Sequence, residues 1–126
     1  MNRFCLRIVV QLKSLVSLLL SYKGSTEEFP FGPETQVFKV KGKMFALIGR
    51  REGKDFINLK ADPEDVPFLI EQFESISGGY HMNKRHWVTV TLDHSENEIV
   101  LEDLIAKSYQ LVVSKLTKAQ KLALSI

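Results

Sequence analysis

Residues 79–87 hold the densest group of side chains that could recognise a ligand, in the order Gly-Tyr-His-Met-Asn-Lys-Arg-His-Trp. Aromatic rings can stack on bases, whereas lysine, arginine and asparagine can reach phosphates or base edges. We therefore treat Asn83, Lys84 and Arg85 as candidate nucleic-acid contacts. The remaining polar and aromatic residues form a candidate ligand loop: Tyr80, His81, His86 and Trp87.

The same segment also has a purely structural interpretation. Tyr80 and Trp87 would then anchor the segment to the core, and the two histidines would bond to backbone carbonyls. We favour a mixture, in which Trp87 is packed and the end formed by Lys84 and Arg85 is exposed.

A second candidate surface is the strongly basic stretch of residues 39–60, which holds seven basic residues against Glu52 and Asp55. Its two predicted hairpin tips could straddle a phosphate backbone, and each neutralised phosphate would release counterions. The candidate contacts are Lys39, Lys41, Lys43, Arg50, Arg51 and Lys54. The alternative is that these lysines only solubilise strand faces and protect sheet edges.

Catalytic and cofactor signatures find little support in the sequence. His81 and His86 are five residues apart, which is not the spacing of a helical zinc pair, and adding His94 completes no known pattern. No serine stands in Gly-x-Ser-x-Gly, and no glycine-rich nucleotide loop is present. We therefore expect a protein that is not an enzyme, with no metal site and no cofactor.

The elements that must position these residues follow from the hydrophobic pattern. Strands are predicted near residues 37–40, 43–50, 57–60 and 88–92, with tight turns at Lys41-Gly42 and around Gly53. Asp62 and Pro63 indicate a helix start, and that helix should end at Gly78-Gly79. Ser95 and Glu98 have capping-box spacing before a helix over about 96–116. The order α-β-β-β-α-β-α predicts an α+β fold, an antiparallel sheet with helices packed on one face.

The pattern also predicts which side chains face the core and which face solvent. Phe29 and Phe31 should tie the loop before the sheet to the core. The long helix should direct these residues inward: Ile99, Leu104, Ile105, Tyr109, Val112, Val113 and Leu116. The helix-free face of the sheet should carry Lys39, Lys41, Lys43, Asn58, Lys60, Thr89 and Thr91.

Residues 3–21 combine an apolar sequence with a narrow polar stripe. Polar side chains recur in steps of three and four: Arg3, Arg7, Gln11, Ser14, Ser17 and Ser21. This period predicts a packed amphipathic helix with a wide apolar face. The alternative is a secretory signal or a membrane-surface segment, but polar residues interrupt the apolar run and no Ala-x-Ala-like site follows.

Length and composition predict one domain over residues 1–126, with the apolar helix in 1–22 and a short tail helix in 117–126. Apolar residues make up 44% and charged residues 25%, which argues against a disordered or collagen-like chain. The single cysteine, Cys5, cannot form an internal disulfide and fits a reducing compartment. We expect a cytoplasmic monomer without a membrane partner, with self-association through the first helix as the alternative.

The net charge of +2 hides a strong segregation of charge along the chain. Residues 61–79 and 93–103 each hold five acidic residues and no lysine or arginine. Residues 1–26 and 104–126 each hold four lysines or arginines, with no acid in the latter and none before Glu27. A nearly neutral chain can therefore present one basic face, provided that the fold brings these segments together.

Several strings resemble the MmcQ/YjbR-like proteins. They are Phe-Pro-Phe-Gly-Pro-Glu at 29–34, Val-Phe-Lys-Val at 37–40, Gly-Lys-Met-Phe-Ala-Leu at 42–47, and the whole of 79–87. The resemblance covers about residues 20–120, and the Tyr-His-Met-Asn-Lys-x-His-Trp string is its most specific part. The long, acid-free apolar start departs from the family pattern, in which the first helix is shorter and mixed in charge.

This resemblance implies a CyaY-like, or frataxin-like, α+β fold and a bacterial protein that binds DNA through a double wing of hairpins. It places the wings on Lys39, Lys41, Lys43, Arg50, Arg51 and Lys54. It places the signature loop on His81, Asn83, Lys84, Arg85, His86 and Trp87.

Two hypotheses lead from here. The first is a DNA-binding protein of low sequence specificity that uses the basic hairpins. The second is a non-catalytic binding module for a protein or an anionic small molecule, with residues 79–87 as its pocket. A metal-binding role by analogy with frataxin is weaker, because likeness of fold alone does not establish function.

Overall fold

The computed structural model of the chain describes residues 3–93 and 96–125, with side chains from residue 12 onward. The predicted uses of Cys5, His94 and Ser95 therefore lie outside the described residues. The elements in chain order are α1 Arg3–Ser21, β1 Ser25–Glu28, β2 Gln36–Val40, β3 Lys43–Arg51, β4 Lys54–Lys60, α2 Val66–Gln72, β5 Ile76–Gly78, β6 Trp87–Leu92, α3 Glu98–Ser114 and α4 Lys118–Ser125.

All strands of the described chain belong to one antiparallel sheet, in the order β1-β2-β3-β4-β6-β5. This confirms the α+β class, the central position of β3 and the β2–β3–β4 meander. The short edge strands β1 and β5 were not predicted.

The helices cover one face of the sheet. Buried residues of α1, α2 and α3 join a single core with the inward residues of the strands, among them Phe38, Ile57 and Val90. The opposite face carries Lys39, Asn58, Thr89 and Thr91, as predicted from alternation. We call this second surface the helix-free face, since no described helix packs against it.

A β-bulge lies in β3 at Phe45. Phe38 pairs with Ala46 and Lys39 with Met44, so Phe45 has no partner on β2, and both Phe45 and Ala46 are wholly buried. On the other side, the β3–β4 register ends at Ala46 and Leu59. The next pair would be Phe45 with Lys60, and the Ser108 hydroxyl from α3 stands between them. It accepts from the Lys60 N–H at 2.8 Å and donates to the Phe45 carbonyl at 2.6 Å.

The two hairpin turns of the meander have the geometry that suits twisted strands. Lys41 and Gly42 have φ of 51° and 78°, and Glu52 and Gly53 have φ of 53° and 78°. Positive φ at both central residues is the type I′ pattern. The predicted role of glycine is confirmed, and in each turn a non-glycine residue also adopts the left-handed conformation.

The predicted start of α2 needs correction, whereas α3 begins within two residues of its predicted start. Helix α2 begins at Val66, because residues 62–65 form a turn in which Asp62 accepts from the Glu64 N–H, and α2 ends where Phe73 becomes extended. The cap of α3 is Asn97, whose side chain accepts from the N–H groups of Ile99 and Val100. The capping pair before the tail helix is confirmed, with Thr117 and Gln120 bonded to each other reciprocally.

Three predicted core residues are exposed instead. Phe29 and Phe31 lie in the loop beyond the end of β1, and Phe31 is 73% exposed. Ile99 in the first turn of α3 is 81% exposed, whereas the other residues predicted inward on this helix are buried or half-buried. No helix in the described part of the chain is long and apolar enough to cross a membrane.

Candidate nucleic-acid and ligand-binding surfaces

The loop of residues 79–86 folds over the helix-free face and is fixed there by a closed hydrogen-bond network. The Tyr80 N–H donates to the Thr89 hydroxyl at 2.8 Å, and that hydroxyl donates to Asn58 Oδ1 at 2.5 Å. Asn58 Nδ2 then donates to the Tyr80 carbonyl at 3.0 Å. Asn58 and Thr89 are almost fully buried, so this network positions the first half of the loop.

The Tyr80 ring is held between an aromatic ring and a cation. It meets the Phe56 ring edge to face at 5.6 Å, and the Arg51 guanidinium lies 4.2 Å from its centroid. Phe56 lies close over Gly49, where an added Cβ would come within 2.7 Å of the Phe56 ring. The exposed His81 ring is 4.0 Å from Tyr80 and completes a cluster that we call the Tyr80 cluster: Arg51, Phe56, Tyr80 and His81.

The second half of the loop is bonded to itself. Lys84 Nζ donates to the Gly79 carbonyl at 3.1 Å, and Asn83 Oδ1 accepts from the Arg85 N–H. His86 is exposed, and its carbonyl accepts from the Ala61 N–H, while Trp87 is half-buried at the start of β6. Asn83 therefore shapes the loop, and Lys84 and Arg85 are exposed, as expected.

The candidate cations of the meander fall into two separate groups. The two hairpin tips extend from opposite ends of β3, about 27 Å apart at the rise of an extended strand. Lys39 is paired with Glu28 at 3.1 Å, and Lys54 with Asp93 at 3.4 Å. Arg50 donates to the Gly53 carbonyl and stands opposite Asp55, and Arg51 belongs to the Tyr80 cluster. Much of the predicted positive charge is thus neutralised or engaged within the fold.

The tip that carries Lys41 and Lys43 lies near the segment that follows α1 and near α4. Gly24, at the end of α1, is packed against Val40 and Leu124, since a Cβ there would come within 2.5 Å of the Leu124 side chain. Lys23 and Lys41 each adjoin a residue of this contact, Lys43 pairs with Val40, and Lys121 precedes Leu124 by one helical turn, so the backbones of these lysines lie near one another. We call this surface the lysine end: Lys23, Lys41, Lys43, Lys118 and Lys121, all exposed and in no ion pair with another described residue.

A cluster of tyrosines holds the lysine end in place. The Tyr22 and Tyr109 ring centroids are 4.8 Å apart with the rings tilted by 34°, and both rings meet Phe45 edge to face. The Tyr109 hydroxyl donates to the Lys23 carbonyl at 2.5 Å. Burial raises the pKa of Tyr109, and burial together with the nearby Glu102 raises that of Tyr22, so both hydroxyls remain protonated at neutral pH.

Three parts of these surfaces were missed at the level of sequence. Asn58 and Thr89 were placed on the correct face, but their partnership with Tyr80 was not foreseen. The sequence pattern gives no sign of the role of Phe56, and it shows the lysines near the ends of the chain only as charge blocks. Their acid-free segments were the available signal. Within the described residues, no group of three or more histidine, cysteine or acidic side chains is arranged to hold a metal ion.

Comparison with known sequences identifies relatives over most of the chain. A model of the YjbR family matches residues 20–111. YbdF of Escherichia coli O157:H7 is 47% identical over 90 residues, which cover 71% of this chain and 74% of that protein. YjbR of E. coli K12 is 33% identical over 87 residues, covering 69% and 73%. Both relatives are described as uncharacterised.

Solved structures share the same architecture. The crystal structure of a Deinococcus radiodurans protein with the domain DUF419 superposes with a TM-score of 0.82 and 40% identity, over 91% of this chain and 88% of that one. The crystal structure of a Pseudomonas syringae protein superposes with a TM-score of 0.69 and 28% identity, over 88% and 98%. None of these descriptions states a ligand or an activity.

Proposed function

The chain belongs to the YjbR family, and we propose that it is a non-catalytic DNA-binding protein of low sequence specificity. The lysine end carries this proposal, because its five exposed lysines come from three parts of the chain that meet at Gly24, Val40 and Leu124: the segment after α1, the β2–β3 hairpin and α4. Phosphates of a nucleic-acid backbone are matched by such a cluster without any reading of bases. In this proposal the β2–β3 hairpin is the principal wing, and the β3–β4 hairpin contributes less.

Electrostatics favours the lysine end over the β3–β4 tip. Arg50, Arg51 and Lys54 are accompanied by Glu52, Asp55 and Asp93, so the charges at that tip nearly cancel. An exposed lysine that already has a carboxylate partner must exchange that partner for phosphate, which leaves little net gain. The five residues of the lysine end include no carboxylate that would compete with phosphate for the lysines.

We also propose that the fold is frataxin-like, as the family resemblance implies. The support is the layered architecture of this chain, a single antiparallel sheet with its helices on one face. Metal binding does not follow from this likeness, because function resides in sites and not in folds.

The proposal predicts a specific change in the salt dependence of DNA binding. The double variant Lys41→Ala/Lys43→Ala should lower the slope of log K against log salt by about 2, since each lost phosphate contact contributes about 0.9 for duplex DNA. The measurement is fluorescence anisotropy with a labelled duplex, from low to physiological salt.

The matched control is Lys39→Ala/Lys54→Ala, which removes the same formal charge from two lysines in ion pairs. Its slope should stay close to that of the wild type. If both variants lowered the slope equally, DNA binding would depend only on the total charge of the protein, and this would contradict a localised contact. Absence of binding by the wild type at low salt would end the proposal.

The Tyr80 cluster favours a second candidate function, the binding of a small anionic ligand. Stacking on Tyr80 holds the Arg51 guanidinium in one orientation, with the exposed His81 beside the same ring. A guanidinium fixed in this way can donate two parallel hydrogen bonds to a phosphate or carboxylate.

Pyrophosphate as a probe tests this second function by thermal unfolding. At ten times its dissociation constant it should stabilise the protein by about 1.4 kcal/mol and raise Tm by about 4 °C. Arg51→Ala should abolish the shift, and Arg85→Ala, an exposed cation on the other half of the loop, should preserve it. A shift that survives Arg51→Ala would exclude the cluster as the site.

A further inference from the structure

A groove of about 650 Å³ separates α2 from α3 on the helix side of the sheet. Leu69, Phe73 and Leu104 contribute apolar side chains to it, and the exposed Phe68 and Ile99 stand at its walls. Its volume lies within the range of ordinary binding pockets, and exposed apolar side chains that adjoin an apolar groove are typical of a contact surface. Neither proposed function uses this groove.

The surroundings of the groove are acidic. Asp62, Asp65 and Asp103 line it together with Lys60 and Lys107, and Lys107 is already in an ion pair with Asp103 at 3.2 Å. The groove lies between the two segments, 61–79 and 93–103, that carry five acids each and no lysine or arginine. Its occupant should therefore be apolar on one side and basic on the other.

Helix α1 of the same chain has this chemistry. Before Glu27 the chain has no acid, and residues 3–13 contain Arg3, Arg7 and Lys13 among apolar residues spaced to form a helical face. In the C-terminal half of α1, Leu15 and Leu19 are buried in the core of their own chain, whereas Leu20 is 41% exposed.

The groove and α1 lie on different parts of the helix layer, so two copies of the chain can contact each other reciprocally. Helix α1 contacts β1 at one edge of the sheet, and α2 contacts β5 at the other edge, with α3 between them in the same layer. The stretch of α3 that lines the groove, from Ile99 to Ser114, is about 22 Å long, enough for a helical segment of similar length. The family match begins at residue 20, so the first 19 residues are the segment most able to add such a contact.

We propose that the α2–α3 groove binds helix α1 of a second copy of this chain, giving a two-fold dimer. The contact is isologous, each copy supplying one groove and one helix. The sequence of the first half of α1 is apolar and contains Arg3 and Arg7, which suits it to the exposed Phe68 and Ile99 and to the acidic rim.

Sedimentation velocity of the full chain over a wide concentration range tests this proposal. The wild type should dimerise, and Phe68→Glu or Ile99→Glu should raise the dissociation constant at least about tenfold, since buried aromatic and aliphatic anchors dominate such contacts. Leu122→Glu is the matched control, an equally exposed apolar residue on α4, and should leave the dimer intact. Circular dichroism checks that each variant is folded.

Charge reversal gives a second measurement that does not depend on the apolar variants. Asp65→Lys alone and Arg7→Glu alone should each weaken self-association, and a mixture of the two variants should form heterodimers through the one restored charge pair. A wild type that stays monomeric at every concentration overturns the proposal, as does a dimer that is lost with Leu122→Glu but kept with Phe68→Glu. A dimer unchanged by every groove variant overturns it as well.

Discussion

Replacing Ser108 with alanine should destabilise the protein by about 2 to 4 kcal/mol. The Ser108 hydroxyl is fully buried and joins the Lys60 N–H to the Phe45 carbonyl, where the β3–β4 ladder would otherwise continue. Alanine fits the same space but leaves both backbone groups without this partner, and each buried unpaired group costs about 1 to 3 kcal/mol. Urea denaturation with linear extrapolation measures the loss, which is a large fraction of the stability of a domain this size.

Ser114→Ala on the same helix is the control for this substitution. Ser114 is exposed and donates to the Leu111 carbonyl one turn earlier, so its replacement changes helix propensity but no buried partner. We expect a change below about 0.5 kcal/mol for Ser114→Ala. If Ser108→Ala cost no more than this, the two strands would have closed the gap with a direct Lys60–Phe45 bond, and the bridge would be dispensable.

The strands of the meander and β6 could be predicted because their signals are local. Thr89 and Thr91 alternate with buried valines within β6, and the positive φ of Gly42 and Gly53 fixes the two turns. Each of these features depends on residues one to three positions apart. The antiparallel sheet and its helix-covered face follow from them directly.

The edge strands could not be predicted because they exist only through pairing. Ser25–Glu28 is short and polar and is extended because it lies beside β2, and Ile76–Gly78 is extended because it lies beside β6. The same pairing explains the shortened α2. The chain must leave the helix at Phe73 to reach β6, although the glycines that were expected to end it come later.

The candidate surface was harder to predict than the fold, because charge pairing is a tertiary property. Lys54 is paired with Asp93, 39 residues away, and nothing near Lys54 in the sequence indicates that partner. The lysine end depends on the contact between Gly24 and Leu124, two residues that are far apart in the sequence. The basic segments are visible in the sequence, but only the fold shows which of them lie next to one another on the surface.

Replacing Thr89 with valine should cost about 2 to 3 kcal/mol and release the loop of residues 79–86. Valine keeps the shape of threonine, so the core packing on β6 is retained. The Tyr80 N–H loses its acceptor and Asn58 Oδ1 loses its donor, both in a nearly dry environment. Urea denaturation measures the loss of stability, and hydrogen exchange at the Tyr80 amide should accelerate well beyond the change expected from global unfolding.

Thr91→Val provides the matched control, two residues further along the same strand and on the same face but only half-buried. It should change stability by less than about 0.5 kcal/mol and leave Tyr80 exchange unchanged. Fast Tyr80 exchange in both variants would show that β6 itself had loosened. Slow exchange in Thr89→Val would show that the Arg51–Tyr80–Phe56 stack holds the loop without the network. The Tyr80 cluster needs a fixed ring to orient Arg51. Anion binding at this face should therefore weaken in Thr89→Val if exchange at the Tyr80 amide is fast in that variant, and stay unchanged if it is slow.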